Sequence, residues 1–180
     1  YFGNEFCQEL IPSIAEVKQG ALFAKDRGIG FSLLCPYVTQ KGITRLEDLF
    51  RYLNGTYPET EIIINDWGVL YLLKKDYPSL KRVLGRLMNK MVRDPRIAEM
   101  FNSPQAPEPV RLAYRQSSLT ISRYREFLTN QDICRVEFDC LVQGLEMNFR
   151  KLSFMASLYF PFQSIATGRS CLVASLNLPK

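Results

Sequence analysis

The sequence predicts an α/β fold in which parallel strands form a (β/α) barrel that is incomplete or irregular. Strand-like apolar runs alternate with segments of helical periodicity along most of the chain. The run Ile62, Ile63, Ile64 is entirely β-branched, which is typical of a strand buried on both faces. Polar side chains follow several of these runs, as they do at the carboxyl ends of barrel strands.

The elements follow from hydrophobic spacing taken in chain order. Strand-like runs are predicted over 1–6, 30–38, 62–64, 80–84, 133–138 and 156–166. Helices are predicted over 12–26, from a cap at Thr44 to 54–55, from 68 to 77, and over 120–129 and 145–155. No glycine-rich phosphate loop opens any of these helices, which disfavours a doubly wound nucleotide-binding sheet.

The chain length sets the expected domain organisation. The 180 residues suit a single barrel-type domain over 1–180, or a fragment of one. We expect further chain before Tyr1, because the sequence opens in a strand-like run without methionine. A proline-rich excursion over about 88–118 interrupts the alternation, and we expect one or two short helices in it, including 97–101.

Composition narrows the possible chemistry. The sequence has no histidine, which excludes Ser-His-Asp and Cys-His catalysis and histidine-ligated metals within these residues. Its five dispersed cysteines form no CxxC pair, so we expect a reducing compartment and a cytoplasmic location. No apolar run reaches the roughly 18 residues of a membrane span, so none is predicted.

The net charge of +5 is compatible with a nucleic-acid partner, although solvated helix faces give the same pattern. Basic residues are concentrated in one part of the chain. They are Lys74, Lys75, Lys81, Arg82, Arg86, Lys90, Arg93 and Arg96.

Polar residues at the predicted strand ends are the candidate site residues. The candidate catalytic carboxylates are Glu5, Asp66, Glu137 and Asp139, and the candidate substrate contacts are Asn65, Arg86 and Arg169. Paired carboxylates can act as general acid and base or hold a metal ion. Alternatively, these acids cap helices, as Asp commonly does before a helix, or pair with the arginines.

Seven motifs in chain order resemble one known family. They are Tyr1-Phe-Gly-Asn-Glu-Phe-Cys7, Cys35-Pro-Tyr37, Asn65-Asp-Trp-Gly68, Gly85-Arg-Leu-Met-Asn89, Asp94-Pro-Arg96, Val136-Glu-Phe-Asp139 and Gly168-Arg-Ser-Cys171. Together they resemble the collagenase-like peptidase family, designated U-32. The resemblance is closest to its short branch, which is related to ubiquinone-biosynthesis accessory proteins and to tRNA and ribosomal-RNA hydroxylation proteins.

The resemblance implies a TIM-barrel-like fold and a [4Fe–4S] cluster held by four cysteines. Cys7 matches the first cluster ligand of the family and Cys171 the second. The other two ligands would lie beyond Lys180, so we expect the cluster to be incomplete or absent in this fragment.

Three functional classes stay open. The first is an iron–sulfur protein that supports hydroxylation of RNA or a quinone precursor, with a paralogous protein as a further candidate partner. The second is a metal- or carboxylate-dependent peptidase or other hydrolase, although the chain has no recognisable hydrolytic triad. The third is a binding module that keeps the barrel without catalysis.

Overall fold

The computed structural model describes residues 1–94, 96, 103 and 105–161. The chain divides into two compact units, of which the first contains Tyr1–Arg82 and the second is Val83–Ala166 as far as it is described. The expected extent of a single domain over 1–180 stays a prediction.

Six strands form one parallel sheet, in which they lie in the order of the chain. They are β1 (Phe2–Gly3), β2 (Ser32–Leu34), β3 (Glu61–Ile64), β4 (Lys81–Leu84), β5 (Ile133–Asp139) and β6 (Met155–Tyr159). Helices are interleaved with the strands, which confirms the predicted incomplete (β/α) barrel-like fold.

The described helices agree with most of the predicted ones. They are α1 (Ile14–Asp26), α2 (Gln40–Thr56), α3 (Trp67–Asp76), α4 (Glu108–Tyr114) and α5 (Ser122–Asn130). Short 3-10 turns cover Gln8–Leu10, Ser118–Thr120 and Phe149–Lys151. None of the helices in the described part of the chain has both the length and the hydropathy that a membrane crossing requires.

The centre of the first unit is β3, and its burial explains the isoleucine run. Ile62, Ile63 and Ile64 are all completely buried, as expected of a strand covered on both faces. Leu33 of β2 lies opposite Ile62 in parallel register. The unit therefore presents the carboxyl ends of β1, β2 and β3 at one edge of the sheet.

Two of the predicted helices differ from those in the structure. Helix α2 begins at Gln40, so Thr44 lies inside the helix and its hydroxyl donates to the Gln40 carbonyl oxygen at 3.2 Å instead of capping the helix. The predicted helix over 145–155 is only the turn Phe149–Lys151, because the Asn148 side chain accepts from the Arg150 amide and favours a local turn. The helix predicted over 97–101 lies outside the described residues, as do 162–166 of the last predicted strand.

Candidate functional site

The described part of the second unit contains a buried group of polar side chains at the ends of its strands. We call it the strand-end cluster, and it consists of Arg86, Asn89, Arg93, Glu137, Asp139 and Tyr159. The first three follow β4, the two acids lie on β5, and the tyrosine is the last residue of β6. Asn89, Glu137 and Asp139 are completely buried.

Asp139 is the electrostatic centre of the strand-end cluster. Its Oδ1 accepts from the Arg86 Nη1 at 2.7 Å, and its Oδ2 accepts from the Arg93 Nε. Both arginine side chains are only 10% exposed, so water screens these ion pairs poorly. Each oxygen of the carboxylate is therefore engaged by a guanidinium.

Arg93 also fixes the loop that follows β4. Its Nη2 donates to the carbonyl oxygen of Arg86 and to that of Asn89, the latter at 2.9 Å. The Asn89 carboxamide in turn donates to the Glu137 carbonyl oxygen at 3.1 Å. These contacts tie the loop to β5 and give the Arg86 guanidinium a fixed place.

Glu137 and Tyr159 complete the cluster. Glu137 and Asp139 are two residues apart on one strand, so their side chains lie on the same face of the sheet. The Tyr159 hydroxyl donates to the Glu137 Oε2 at 2.9 Å, and the Arg86 Cζ lies 4.1 Å from the centre of the tyrosine ring. Tyr159 therefore orients a carboxylate and a guanidinium at once.

The first unit places two predicted site residues at the end of β3. Asn65 is completely buried, and its amide donates to the Cys35 carbonyl oxygen at 2.9 Å. Asp66 is the N-cap of α3, because its Oδ1 accepts from the Gly68 amide at 2.7 Å and from the Val69 amide at 3.4 Å. Its Oδ2 accepts from the Val38 amide at 3.5 Å. Glu5, which follows β1, is buried.

Cys7 is the one predicted cluster ligand among the described residues. Its thiol is half-buried and forms no disulfide, and its amide donates to the Asn4 side chain at 2.7 Å. This exposure fits a thiolate ligand. By contrast, burial raises the pKa of the Cys35 thiol far above its usual range, which makes it a poor ligand.

A complete metal site is not assembled within the described ranges. No group of three or more histidine, cysteine, aspartate or glutamate residues there is placed to hold a metal ion. Cys171 and Arg169 lie outside the described residues. Ligation of an iron–sulfur cluster by Cys7 stays a prediction.

Sequence reasoning identified half of the strand-end cluster. Arg86, Glu137 and Asp139 were predicted site residues, and the structure brings these three together. Asn89, Arg93 and Tyr159 were not predicted. Asn89 ends one of the seven motifs and could have been found there, whereas Tyr159 lies in an apolar run with no distinguishing signal.

Three comparisons address the relationship of this chain to known proteins. Neither a scan against protein-family models nor searches of curated proteins and of solved structures find a match. The resemblance to the U-32 family therefore stays a prediction that rests on the seven motifs.

Proposed function

We propose that this chain belongs to a U-32-type iron–sulfur protein that supports hydroxylation of RNA or of a quinone precursor in the cytoplasm. Three features support this proposal: the order of the seven motifs, the incomplete (β/α) barrel-like sheet and the accessible Cys7 thiol. A paralogous protein is a further proposed partner.

The order of the seven motifs is the observation that carries the proposal. The contacts of two of the four candidate carboxylates weigh against the hydrolase alternative. A catalytic carboxylate acts as a proton acceptor or donor, as a nucleophile or as a metal ligand, and each role needs an oxygen that is available to the substrate or the metal. Asp139 instead accepts from two guanidiniums, and Asp66 accepts from backbone amides with both oxygens. Both aspartates therefore suit positioning better than acid–base chemistry.

The proposed roles of the cluster ligands and of the arginines differ. Cys7 would supply one thiolate, and Cys171 with cysteines beyond Lys180 would supply the others. A bound iron–sulfur cluster supplies electron transfer, which side chains of this composition do not. Arg86, held between Asp139 and Tyr159, would contact a polar or anionic group of the substrate. Asn65 and Arg169 stay candidate substrate contacts from the sequence alone.

The test uses a polypeptide that extends past Lys180 and is purified without oxygen. We expect bound iron and sulfide, visible thiolate-to-iron absorption, and an EPR signal in one redox state. Cys7→Ser and Cys171→Ser should each remove most of the iron. Cys140→Ser is the matched control, because Cys140 is also half-buried and free but matches no family ligand position.

Two results would contradict the proposal. One is a longer chain that retains no iron under anaerobic conditions, which would favour the binding-module alternative if RNA still binds. The other is peptide hydrolysis that is lost in Glu137→Gln, since Glu137 would then act as a catalytic carboxylate.

A further inference from the structure

One face of α3 exposes two aromatic and two basic side chains. Trp67 is 49% exposed and Tyr71 is 68% exposed, and Lys74 and Lys75 are also exposed. With 3.6 residues per turn, these four positions fall within an arc of about 100°. We call them the aromatic–lysine face.

The position of this face relates it to the strand ends of the first unit. Asp66 caps α3 directly after β3, so Trp67 lies at the carboxyl end of that strand. Tyr71 follows about 6 Å further along the helix axis, and the two lysines lie about one turn beyond it. The face therefore runs from the strand ends down the outside of the helix.

We infer that the aromatic–lysine face binds single-stranded RNA, an inference that rests on the RNA form of the proposed function. Bases stack on Trp67 and Tyr71, and phosphates contact Lys74 and Lys75. Stacking platforms next to cations are how proteins hold unpaired strands without reading their sequence. The axial spacing of about 6 Å lets successive nucleotides of an extended strand reach both rings.

The composition of the face favours RNA over a membrane or an acidic protein. A helix that inserts into a membrane surface presents a broad apolar face, in which leucine lies beside tryptophan and phenylalanine. Here the aliphatic residues Val69, Leu70 and Leu73 are buried, and the exposed arc holds none. An acidic peptide would pair with the lysines but would have no planar group to stack on the two rings.

Tryptophan fluorescence gives a direct test, because Trp67 is the only tryptophan of the chain. Oligouridylate titrated into the full chain should quench the emission of Trp67. Tyr71→Ala should weaken the affinity about tenfold. Replacing both Lys74 and Lys75 by Gln should reduce the salt slope of log K by about 1.4, at about 0.7 for each phosphate contact of a single strand.

Lys18→Gln is the control, because Lys18 is exposed on α1 and away from this face. Its affinity and salt slope should match those of the unchanged chain. Circular dichroism should show that Tyr71→Ala is folded, as expected at a site that is 68% exposed.

Three results would overturn the inference. They are an unchanged affinity in Tyr71→Ala, equal binding of polyglutamate of the same length, and an emission shift on anionic phospholipid vesicles without any on oligouridylate. Iron content is measured on the polypeptide that extends past Lys180, because the remaining cluster ligands are expected there. This measurement separates the inference from the proposed function. Quenching without iron refutes only the iron–sulfur proposal, and bound iron without quenching refutes only the RNA-binding face.

Discussion

Replacing Asp139 by Asn should destabilise the second unit strongly. Asp139 is completely buried and pairs with both Arg86 and Arg93, whose side chains are only 10% exposed. The amide keeps the size of the carboxylate but removes its charge, so two guanidiniums stay buried without it. Breaking a buried ion pair by removing one partner costs about 3–5 kcal/mol. That is a large part of the roughly 5–15 kcal/mol that stabilises a typical domain.

Urea denaturation followed by circular dichroism measures this change. With a typical slope of about 2 kcal/mol per molar urea, the midpoint should fall by about 2 M. Glu108→Gln is the matched control, because it makes the same acid-to-amide change in the same unit. Glu108 pairs with Arg111 at 2.7 Å, but its side chain is 74% exposed, so the expected cost is under about 1 kcal/mol.

A second substitution tests the electrostatic cause. Arg93→Gln combined with Asp139→Asn removes one of the two stranded charges. The double variant should therefore lose less stability than the sum of the single variants. The reasoning fails if Asp139→Asn lowers the free energy of unfolding no more than Glu108→Gln does. It also fails if the effects of Asp139→Asn and Arg93→Gln in the strand-end cluster are additive.

Two further predictions concern one half-buried and one fully buried titratable group. Burial raises the pKa of Tyr124 from 10.0 to about 12, so its contribution to stability is complete below pH 10 and is lost as the pH rises towards 12. Tyr124→Phe removes a 3.1 Å hydrogen bond to the Met88 carbonyl oxygen and should lower the free energy of unfolding by about 0.5–1.5 kcal/mol near neutral pH. It should also make the fall of the free energy of unfolding at alkaline pH shallower. Parallel alkaline curves for the two proteins would contradict this. Burial raises the pKa of the Cys35 thiol, so this thiol should resist iodoacetamide in the native protein and react on unfolding. Mass spectrometry measures the labelling, and labelling of Cys35 as fast as that of Cys7 would refute this.

Local sequence patterns predicted an element well where its own residues indicate how it is buried. The isoleucine run of β3 predicted a strand buried on both faces, because each β-branched residue has to be covered. The end of the helix predicted over 12–26 agrees with α1, which is followed by Gly28 with φ +63, a conformation that glycine adopts without strain. The prediction of a helix over 145–155 is wrong, because Asn148 stabilises a local turn in spite of the apolar spacing.

The sequence also allowed the prediction that Asp66 caps the following helix. An aspartate between a buried strand and an apolar helical segment has the amides of the next residues close by, and the structure has these contacts. The sequence could not decide whether the same side chain contacts a ligand, because capping uses local geometry and ligand contact does not.

The sequence by itself determined the class of the fold and placed Arg86, Glu137 and Asp139 at or near the ends of predicted strands. Only the tertiary structure decided how those residues are paired. Arg86 and Arg93 lie 53 and 46 residues from Asp139 in the chain, and Tyr159 reaches Glu137 from the neighbouring strand. Hydrophobic periodicity records which side of an element is buried, whereas an ion pair across such distances depends on strand order and register, which no local pattern contains.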